Sequence, residues 1–203
     1  MGHDLRPSGG RGGLCRRRAR LEVGQVPAGA ASRSARAGRN FLTRVAVISD
    51  THLPRGARAL PEECVRLIAG ADLLLHAGDF VSAQFLEQLQ KLGPPLAGVC
   101  GNMDEQALKQ TLPRQRVVEV DGVQIGMVHD AGPRERREAR LAARFEDCGA
   151  VVYGHTHVPQ VERFQHLWVL NPGSPTERRS APAHSMIILS IQGARITPEL
   201  VML

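Results

Sequence analysis

The stretch Val151-Val152-Tyr153-Gly154-His155-Thr156-His157 places two histidines, one residue apart, directly after a short apolar run and a glycine. Apolar residues that end in Gly predict a buried strand that stops at a turn. Because alternate side chains of an extended segment point to the same side, we expect His155 and His157 to reach one pocket while Thr156 faces away. Neutral imidazole is the commonest protein metal ligand. The stretch therefore predicts a metal site, provided that the rest of the chain supplies partners.

The first 40 residues differ in composition from the rest of the chain. They hold nine arginines against two acidic residues, a net charge of +7, whereas residues 41–203 hold 17 basic and 18 acidic residues, a net charge of −1. The segment shows no steady apolar period and cannot bury enough surface to offset its ordering entropy. We predict a disordered Arg/Gly/Ala-rich tail over residues 1–42, or upstream sequence read from a mis-assigned start codon, and one folded domain over residues 43–203.

Charge and composition also limit the classes of partner that we expect. The nearly neutral body argues against a nucleic-acid-binding surface on the domain, although the arginine-rich tail leaves a weak route to nucleic acid open. Seven aromatic residues are too few for base-stacking platforms. No run approaches the ~20 apolar residues of a membrane span, so we expect no membrane association. Four scattered cysteines without a CxxC pair fit a reducing cytoplasm. The sequence leaves open whether the chain forms a homo-oligomer.

The apolar pattern of the body predicts an α/β domain. Three β-branched or apolar runs alternate with two helical periods, which implies parallel strands with right-handed crossovers. Two hairpins are indicated by the turns Asp121-Gly122 and Gln192-Gly193. The predicted strands are 44–49, 72–76, 96–100, 116–120, 123–128, the run into His155, two short strands within 158–170, 185–191 and 194–200. The predicted helices are 57–69, 81–92 and 134–147.

Metal-capable side chains follow the C-terminal ends of these predicted strands. In open α/β sheets that edge is where binding sites form. The donors are oxygen and nitrogen without sulfur, which suits Mn, Fe, Zn, Co or Ni better than a thiolate-selective centre. Seven donors are too many for one ordinary ion and indicate two ions, with the Asp79 carboxylate as the natural bridge. The seven residues are Asp50, His52, Asp79, Asn102, His129, His155 and His157.

The order of these residues resembles the calcineurin-like metallophosphoesterase superfamily. The motifs are Asp50-x-His52, Gly78-Asp79, Gly101-Asn102, His129 and Gly154-His155-x-His157. The Gly-Asn-Met-Asp form of the third motif and the Asn-Pro-Gly-Ser loop at 171–174 are similar to its small YfcE-like phosphodiesterase branch. The resemblance covers roughly residues 44–200. It implies a four-layer α/β/β/α sandwich of two mixed sheets flanked by helices.

The resemblance also implies how the ligands divide and what they do. The implied ligands of the first ion are Asp50, His52, Asp79 and His157, and those of the second are Asp79, Asn102, His129 and His155. Asp79, Asn102 and His129 would be the catalytic residues of a phosphodiesterase in which a metal-bridging hydroxide attacks a small-molecule phosphodiester. Mn²⁺ is the favoured ion, with Ni²⁺, Zn²⁺, Fe²⁺ and Co²⁺ as alternatives, and no other cofactor is expected.

One position departs from the superfamily pattern. Met103 stands where many of the phosphatases carry a histidine that stabilises the transition state or protonates the leaving group, and a thioether cannot donate a proton. Asp104 would then lack the imidazole that it would orient. Because a diester carries less negative charge, and an activated aryl leaving group needs no acid, the departure favours a phosphodiesterase over a monoesterase.

Two other functions fit parts of the sequence. The chain is similar in length to the Vps29-like branch of the superfamily, whose members are non-catalytic interaction scaffolds. Because this chain has lost no ligand position, the scaffold is the less favoured interpretation. A nuclease would need a basic groove or a capping domain, and the neutral body offers neither.

Four features near the motifs have two readings each. His76 is expected in the core, with a role in orienting a ligand as the alternative. Asn171 and Ser174 fit both ordinary turn chemistry and contact with the site. The arginines within 134–140 predict a salt-bridged, solvated helix face, with a phosphate clamp as the alternative.

Overall fold

The computed structural model describes residues 23–24 and 42–203. The strands are β1 (Val23–Gly24), β2 (Thr43–Ile48), β3 (Leu73–His76), β4 (Leu96–Gly98), β5 (Gln115–Val120), β6 (Val123–Val128), β7 (Ala150–Val152), β8 (Gln160–Phe164), β9 (Leu167–Asn171), β10 (Ser185–Gln192) and β11 (Arg195–Met202). The helices are α1 (Glu62–Ala69), α2 (Ala83–Gln90), α3 (Gln106–Thr111) and α4 (Arg137–Arg144). The predicted disordered tail, residues 1–42, lies outside the described residues apart from Val23, Gly24 and Leu42. No helix in the described part of the chain is long and apolar enough to cross a membrane.

The strands form two mixed sheets. One sheet has the order β1-β5-β6-β7-β9-β8, and the other has the order β11-β10-β2-β3-β4. The predicted parallel arrangement of β2, β3 and β4 is confirmed, as is the hairpin of β5 and β6 around the two-residue turn at Asp121-Gly122. In the six-stranded sheet β6 runs parallel to β7. The C-terminal ends of β2, β3 and β4 therefore share one edge of their sheet, and those of β6 and β7 share one edge of the other.

Three apolar clusters define the layers. The first fills the space between the sheets, where Val45 and Val47 of β2 join Ala150 and Val152 of β7. Alternate residues of the same strands point outward, as the two-residue period requires. The second cluster packs α1, α2 and α3 on the five-stranded sheet, and the third packs α4 on the six-stranded sheet. The predicted four-layer α/β/β/α sandwich is confirmed.

The helix boundaries differ from the prediction. α1 begins at Glu62 rather than at residue 57, because a residue that precedes proline is disfavoured in the α region and Pro61 caps the helix. α4 spans Arg137–Arg144 rather than 134–147, since Arg136 takes a left-handed φ of 52°. The pattern does not predict α3, whose six residues bury only Leu108 and give no period to detect.

Among the contacts of the described residues, Arg137 and Arg140 bond to oxygen atoms other than carboxylates, which differs from the predicted salt-bridged face. Arg137 donates to the carbonyl oxygen of Gly132 at 3.0 Å and to the hydroxyl of Tyr153 at 3.1 Å. Arg140 donates to the carbonyl oxygen of Ala131 at 3.3 Å. These two guanidinium groups hold the loop after β6 through main-chain carbonyls.

The close packing of α4 on its sheet depends on a glycine. A Cβ atom added at Gly126, in the middle of β6, would lie 2.5 Å from the ring of the buried Phe145. We expect Gly126→Ala to lower the free energy of unfolding by about 1–3 kcal/mol, because overpacking a core costs that much. Urea denaturation followed by the fluorescence of Trp168, the single tryptophan, measures it.

Gly70→Ala is the matched control, because its Cβ would meet nothing closer than 3.5 Å and its φ of −87° suits any residue. A Gly126→Ala protein as stable as the control would show that Phe145 does not pack as described.

Candidate metal centre

The structure brings all seven candidate ligands to one end of the sandwich. Each follows the C-terminal end of a strand: Asp50 and His52 after β2, Asp79 after β3, Asn102 after β4, His129 after β6, and His155 and His157 after β7. Side chains from both sheets lie within contact distance of one another there. The prediction that these strand ends form a common site agrees with this arrangement.

The first group of donors is buried. Ligand atoms of Asp50, His52 and His157 all lie within 4.8 Å of one another. Nε2 of His157 is 3.3 Å from Nε2 of His52 and 3.3 Å from Oδ1 of Asp50. Oδ2 of Asp79 is 3.6 Å from Nε2 of His52. Donors that share one ion at Zn–N distances of ~2.0–2.1 Å are spaced comparably, so this group could hold a metal ion.

The second group adjoins the first and opens toward solvent. Oδ2 of Asp79 is 3.4 Å from Nε2 of His129. Oδ1 of Asn102 is 3.0 Å from that nitrogen and 2.9 Å from Nδ1 of His155. Asn102 is exposed and His155 is half-buried, whereas the other five candidates are buried. One oxygen of Asp79 thus faces both groups. Asp50 also lies within 4.8 Å of Asp79 and His129, so the two groups are continuous.

The two histidines of the opening stretch are not placed by strand alternation. β7 ends at Val152, and His155 and His157 have φ values of 68° and 60°. The prediction of an extended segment at these positions is wrong, because the loop turns through left-handed conformations. His157 meets Asp50 and His52, whereas His155 meets Asn102.

Main-chain carbonyls orient two of the imidazole rings. Nδ1 of His129 donates to the carbonyl oxygen of Ala77 at 2.8 Å, and Nδ1 of His157 donates to that of Glu177. A carbonyl can only accept, so each Nδ1 carries a proton, and in the neutral ring Nε2 keeps its lone pair. Those lone pairs face the carboxylates, and a metal-binding histidine is commonly oriented in this way.

The electrostatics of the centre favour a bound cation. Burial raises the pKa of Asp50 to about 6, against the lowering effect of His129. Burial lowers the pKa of His52 and of His157, which favours their neutral, metal-binding form. Among the described residues, the ion-pair partners of Asp50 and Asp79 are histidine rings rather than Lys or Arg. Because buried carboxylates are costly without a strong counter-charge, the residues present fit a metal ion.

Ser174 holds the loops of the centre together, a role that the sequence left undecided. Its hydroxyl donates to the carbonyl oxygen of Asp50 at 2.7 Å and accepts from the N–H of Glu177 at 2.8 Å. Asn171 donates to the carbonyl oxygen of Gly154 at 3.0 Å. Both side chains thus form hydrogen bonds with main-chain groups beside candidate ligands.

Asp104 has partners other than the imidazole considered for it. Its two carboxylate oxygens each accept a main-chain N–H at 2.7 Å, from Val81 and from Gly101. Met103 is 55% exposed, and its N–H donates to Oδ1 of Asp79 at 2.7 Å. Met103 therefore contacts the centre through its backbone N–H, and Asp104 holds the loop that also carries Asn102.

Two glycines are required by close approach rather than by a sharp turn. A Cβ atom at Gly101 would lie 2.0 Å from Oδ1 of Asp79, and one at Gly154 would lie 2.7 Å from Oδ2 of Asp50. Neither glycine has a positive φ. A side chain at either position would displace a carboxylate of the centre.

His76 is buried in the core, as predicted. Its ring stacks on Phe80, and its Nδ1 accepts the N–H of Gly78 at 3.2 Å. Nε2 therefore carries the proton and donates to the hydroxyl of Thr51 at 3.1 Å. Burial lowers its pKa well below the ordinary value, so the ring is neutral. Through Gly78 and Thr51 it contacts loops that carry candidate ligands.

The sandwich and its oxygen and nitrogen donor groups define an α/β protein with a candidate metal centre. The family model of the calcineurin-like phosphoesterase superfamily domain matches residues 43–194. The chain belongs to this superfamily.

Relatives and solved structures agree with this assignment. A probable metallophosphoesterase of Methanothermobacter thermautotrophicus is 34% identical over 159 residues, which is 77% of this chain and 91% of the relative. A phosphodiesterase of Methanocaldococcus jannaschii is 24% identical over 143 residues, which is 64% of this chain and 82% of the relative. The structure of vacuolar protein sorting 29 from Cryptosporidium parvum superposes with a TM-score of 0.68 at 23% identity, covering 80% of this chain and 92% of that one. At that identity the likeness supports the fold alone.

The two donor groups can be separated by mutation. We expect His155→Ala to reduce the Mn²⁺ retained after loading and desalting from about two ions per chain to about one, because His155 lies in the second group only. Metal analysis by atomic emission measures the content. His166→Ala, which removes an exposed imidazole at the β8–β9 turn, should retain both ions. Equal loss of both ions from His155→Ala would contradict the division into two groups.

Proposed function

We propose that this protein is a dinuclear-metal-dependent phosphodiesterase of a small-molecule substrate. The convergence of all seven donors on one buried centre with a solvent-open side carries the proposal. The phosphodiesterase of M. jannaschii among its relatives supports it.

The seven candidate ligands would be divided between two ions, with Asp79 shared by both. Asp50, His52, Asp79 and His157 would hold one ion, and Asp79, Asn102, His129 and His155 would hold the other. Bound divalent ions in such a site lower the pKa of a coordinated water and neutralise charge on phosphoryl oxygens. We propose Mn²⁺ as the resident ion, with Ni²⁺, Zn²⁺, Fe²⁺ and Co²⁺ as alternatives that the same donors accept.

The protein's own groups then position the substrate. Asn102 and His155 border the accessible side of the centre, so the phosphoryl group approaches there. Met103 beside them offers a thioether and no proton to a leaving oxygen. Because a diester with an activated leaving group needs no such proton, this rim supports a phosphodiesterase over a monoesterase. The scattered cysteines fit action in the cytoplasm.

The alternative is a non-catalytic interaction scaffold on the same fold. The structural likeness to vacuolar protein sorting 29 favours it, and the complete donor set opposes it. Catalytic turnover separates the two.

We expect the Mn²⁺- or Ni²⁺-loaded protein to hydrolyse bis-p-nitrophenyl phosphate, with Asp79→Asn lowering kcat by at least about 100-fold. The loss of a charge that both donor groups share weakens both, and removal of one electrostatic contact alone costs about that much. Release of p-nitrophenolate measures the rate.

Asp147→Asn makes the same chemical change at an exposed position between α4 and β7 and should leave kcat unaltered. Protein that binds two ions per chain but turns over no diester with any of the five metals would refute the proposed activity and favour the scaffold.

A further inference from the structure

Two arginines stand beside the candidate centre with no part in the proposed reaction. Arg55 and Arg58 lie on the turn that follows His52, and the N–H of Arg58 donates to the carbonyl oxygen of Arg55 at 3.3 Å. Their side chains are 60% and 41% exposed. Both reach Oε2 of Glu177 through Nη1, at 3.3 Å from Arg55 and 3.4 Å from Arg58. One carboxylate thus forms ion pairs with two guanidinium groups.

Glu177 attaches this pair to the centre. Its carbonyl oxygen accepts the ring Nδ1–H of His157, and its own main-chain N–H donates to the hydroxyl of Ser174 at 2.8 Å. Burial tends to raise the pKa of Glu177, but His52 and the two arginines outweigh it and lower the pKa. Glu177 therefore links the two arginines to the first donor group.

The charges around Glu177 do not balance. Arg55 and Arg58 bring two positive charges to the single negative charge of Glu177, and the exposed Arg179 acts electrostatically on His157. By contrast, Arg66 on α1 makes a one-to-one pair with Glu63, through Nε at 2.8 Å and through Nη2. An excess of positive charge beside a phosphoester site attracts further negative charge on the substrate.

Stability does not explain the arrangement. Exposed ion pairs contribute a median of only about 0–1 kcal/mol. A guanidinium group offers five N–H donors in a planar fork that matches phosphate. Because the described contacts of Arg55 and Arg58 with Glu177 use Nη1, the remaining donors of each fork are available for an oxyanion.

We propose that Arg55 and Arg58, positioned by Glu177, bind a second phosphate group of the substrate next to the diester that reacts at the metal centre. This inference rests on the proposed function and narrows it. The substrate is a phosphodiester that also carries a phosphomonoester, such as a phosphorylated nucleotide ester, rather than a neutral or cationic diester.

Two substrates with one leaving group test the inference: thymidine 5′-(p-nitrophenyl phosphate) and the same compound with a 3′-phosphate. For the wild type we expect kcat/KM to be about tenfold higher with the 3′-phosphate, mainly through a lower KM, because charge-assisted hydrogen bonds are worth at least that much. The double variant Arg55→Ala/Arg58→Ala should lose this preference and keep kcat/KM for the first substrate within about twofold.

Arg66→Ala is the matched control and should keep the preference. Raising the ionic strength should reduce the preference in the wild type, because the arginines are exposed. Equal kcat/KM for the two substrates in the wild type, or a preference that survives in the double variant, would overturn the inference.

A second readout keeps this inference distinct from the proposed activity. Calorimetry compares the binding of thymidine 3′,5′-bisphosphate and thymidine 5′-monophosphate to Mn²⁺-loaded protein. About tenfold tighter binding of the bisphosphate, lost in the double variant, would support the arginine site even if neither ester is turned over. Equal affinities would overturn it, whereas absence of turnover alone would count against the phosphodiesterase.

Discussion

Left-handed backbone conformation sets the geometry on which this centre depends. Five of the seven candidate ligands have φ values between 47° and 68°: Asp50, His52, Asp79, His155 and His157. Such conformations cost on the order of 1–3 kcal/mol each in non-glycine residues and persist only where the surroundings enforce them. Here neighbouring loops enforce them. The N–H of Asp50 donates to the carbonyl oxygen of Gly78 at 2.9 Å, and that of His52 donates to the carbonyl oxygen of Asp79 at 3.0 Å. The loops after β2 and β3 therefore hold each other in the shape that presents the ligands.

Asp50 extends this constraint from one sheet to the other. It follows β2 of the five-stranded sheet, and its carboxylate accepts the N–H of His155 from the six-stranded sheet at 2.9 and 3.1 Å. Its carbonyl oxygen accepts the hydroxyl of Ser174. The side chain is fully buried, and burial raises its pKa to about 6, so its charge is costly without a cation. Asp50 thus both links the two sheets and favours metal binding.

The sequence predicts which residues meet at the candidate centre better than it predicts their geometry. Buried strands that end in Gly, Asp or His identify all seven positions, because strand ends at a sheet edge converge whatever the loop shape. The conformations of His155 and His157 escape prediction, since they depend on contacts with other loops. The roles of Ser174 and Glu177 escape it for the same reason: their partners Asp50 and Arg55 lie more than 100 residues away in the chain. A local sequence pattern does not identify contacts between residues so far apart in the chain.

We propose that Asp79 bridges two ions and so makes the two groups of donors into one centre. Electron paramagnetic resonance of the Mn²⁺-loaded protein tests it directly. If one carboxylate joins both ions, the spectrum at two Mn²⁺ per chain should show an exchange-coupled dinuclear signal. The six-line signal of isolated Mn²⁺ at the same loading would mean that the two ions are not bridged, and would contradict this account of the site.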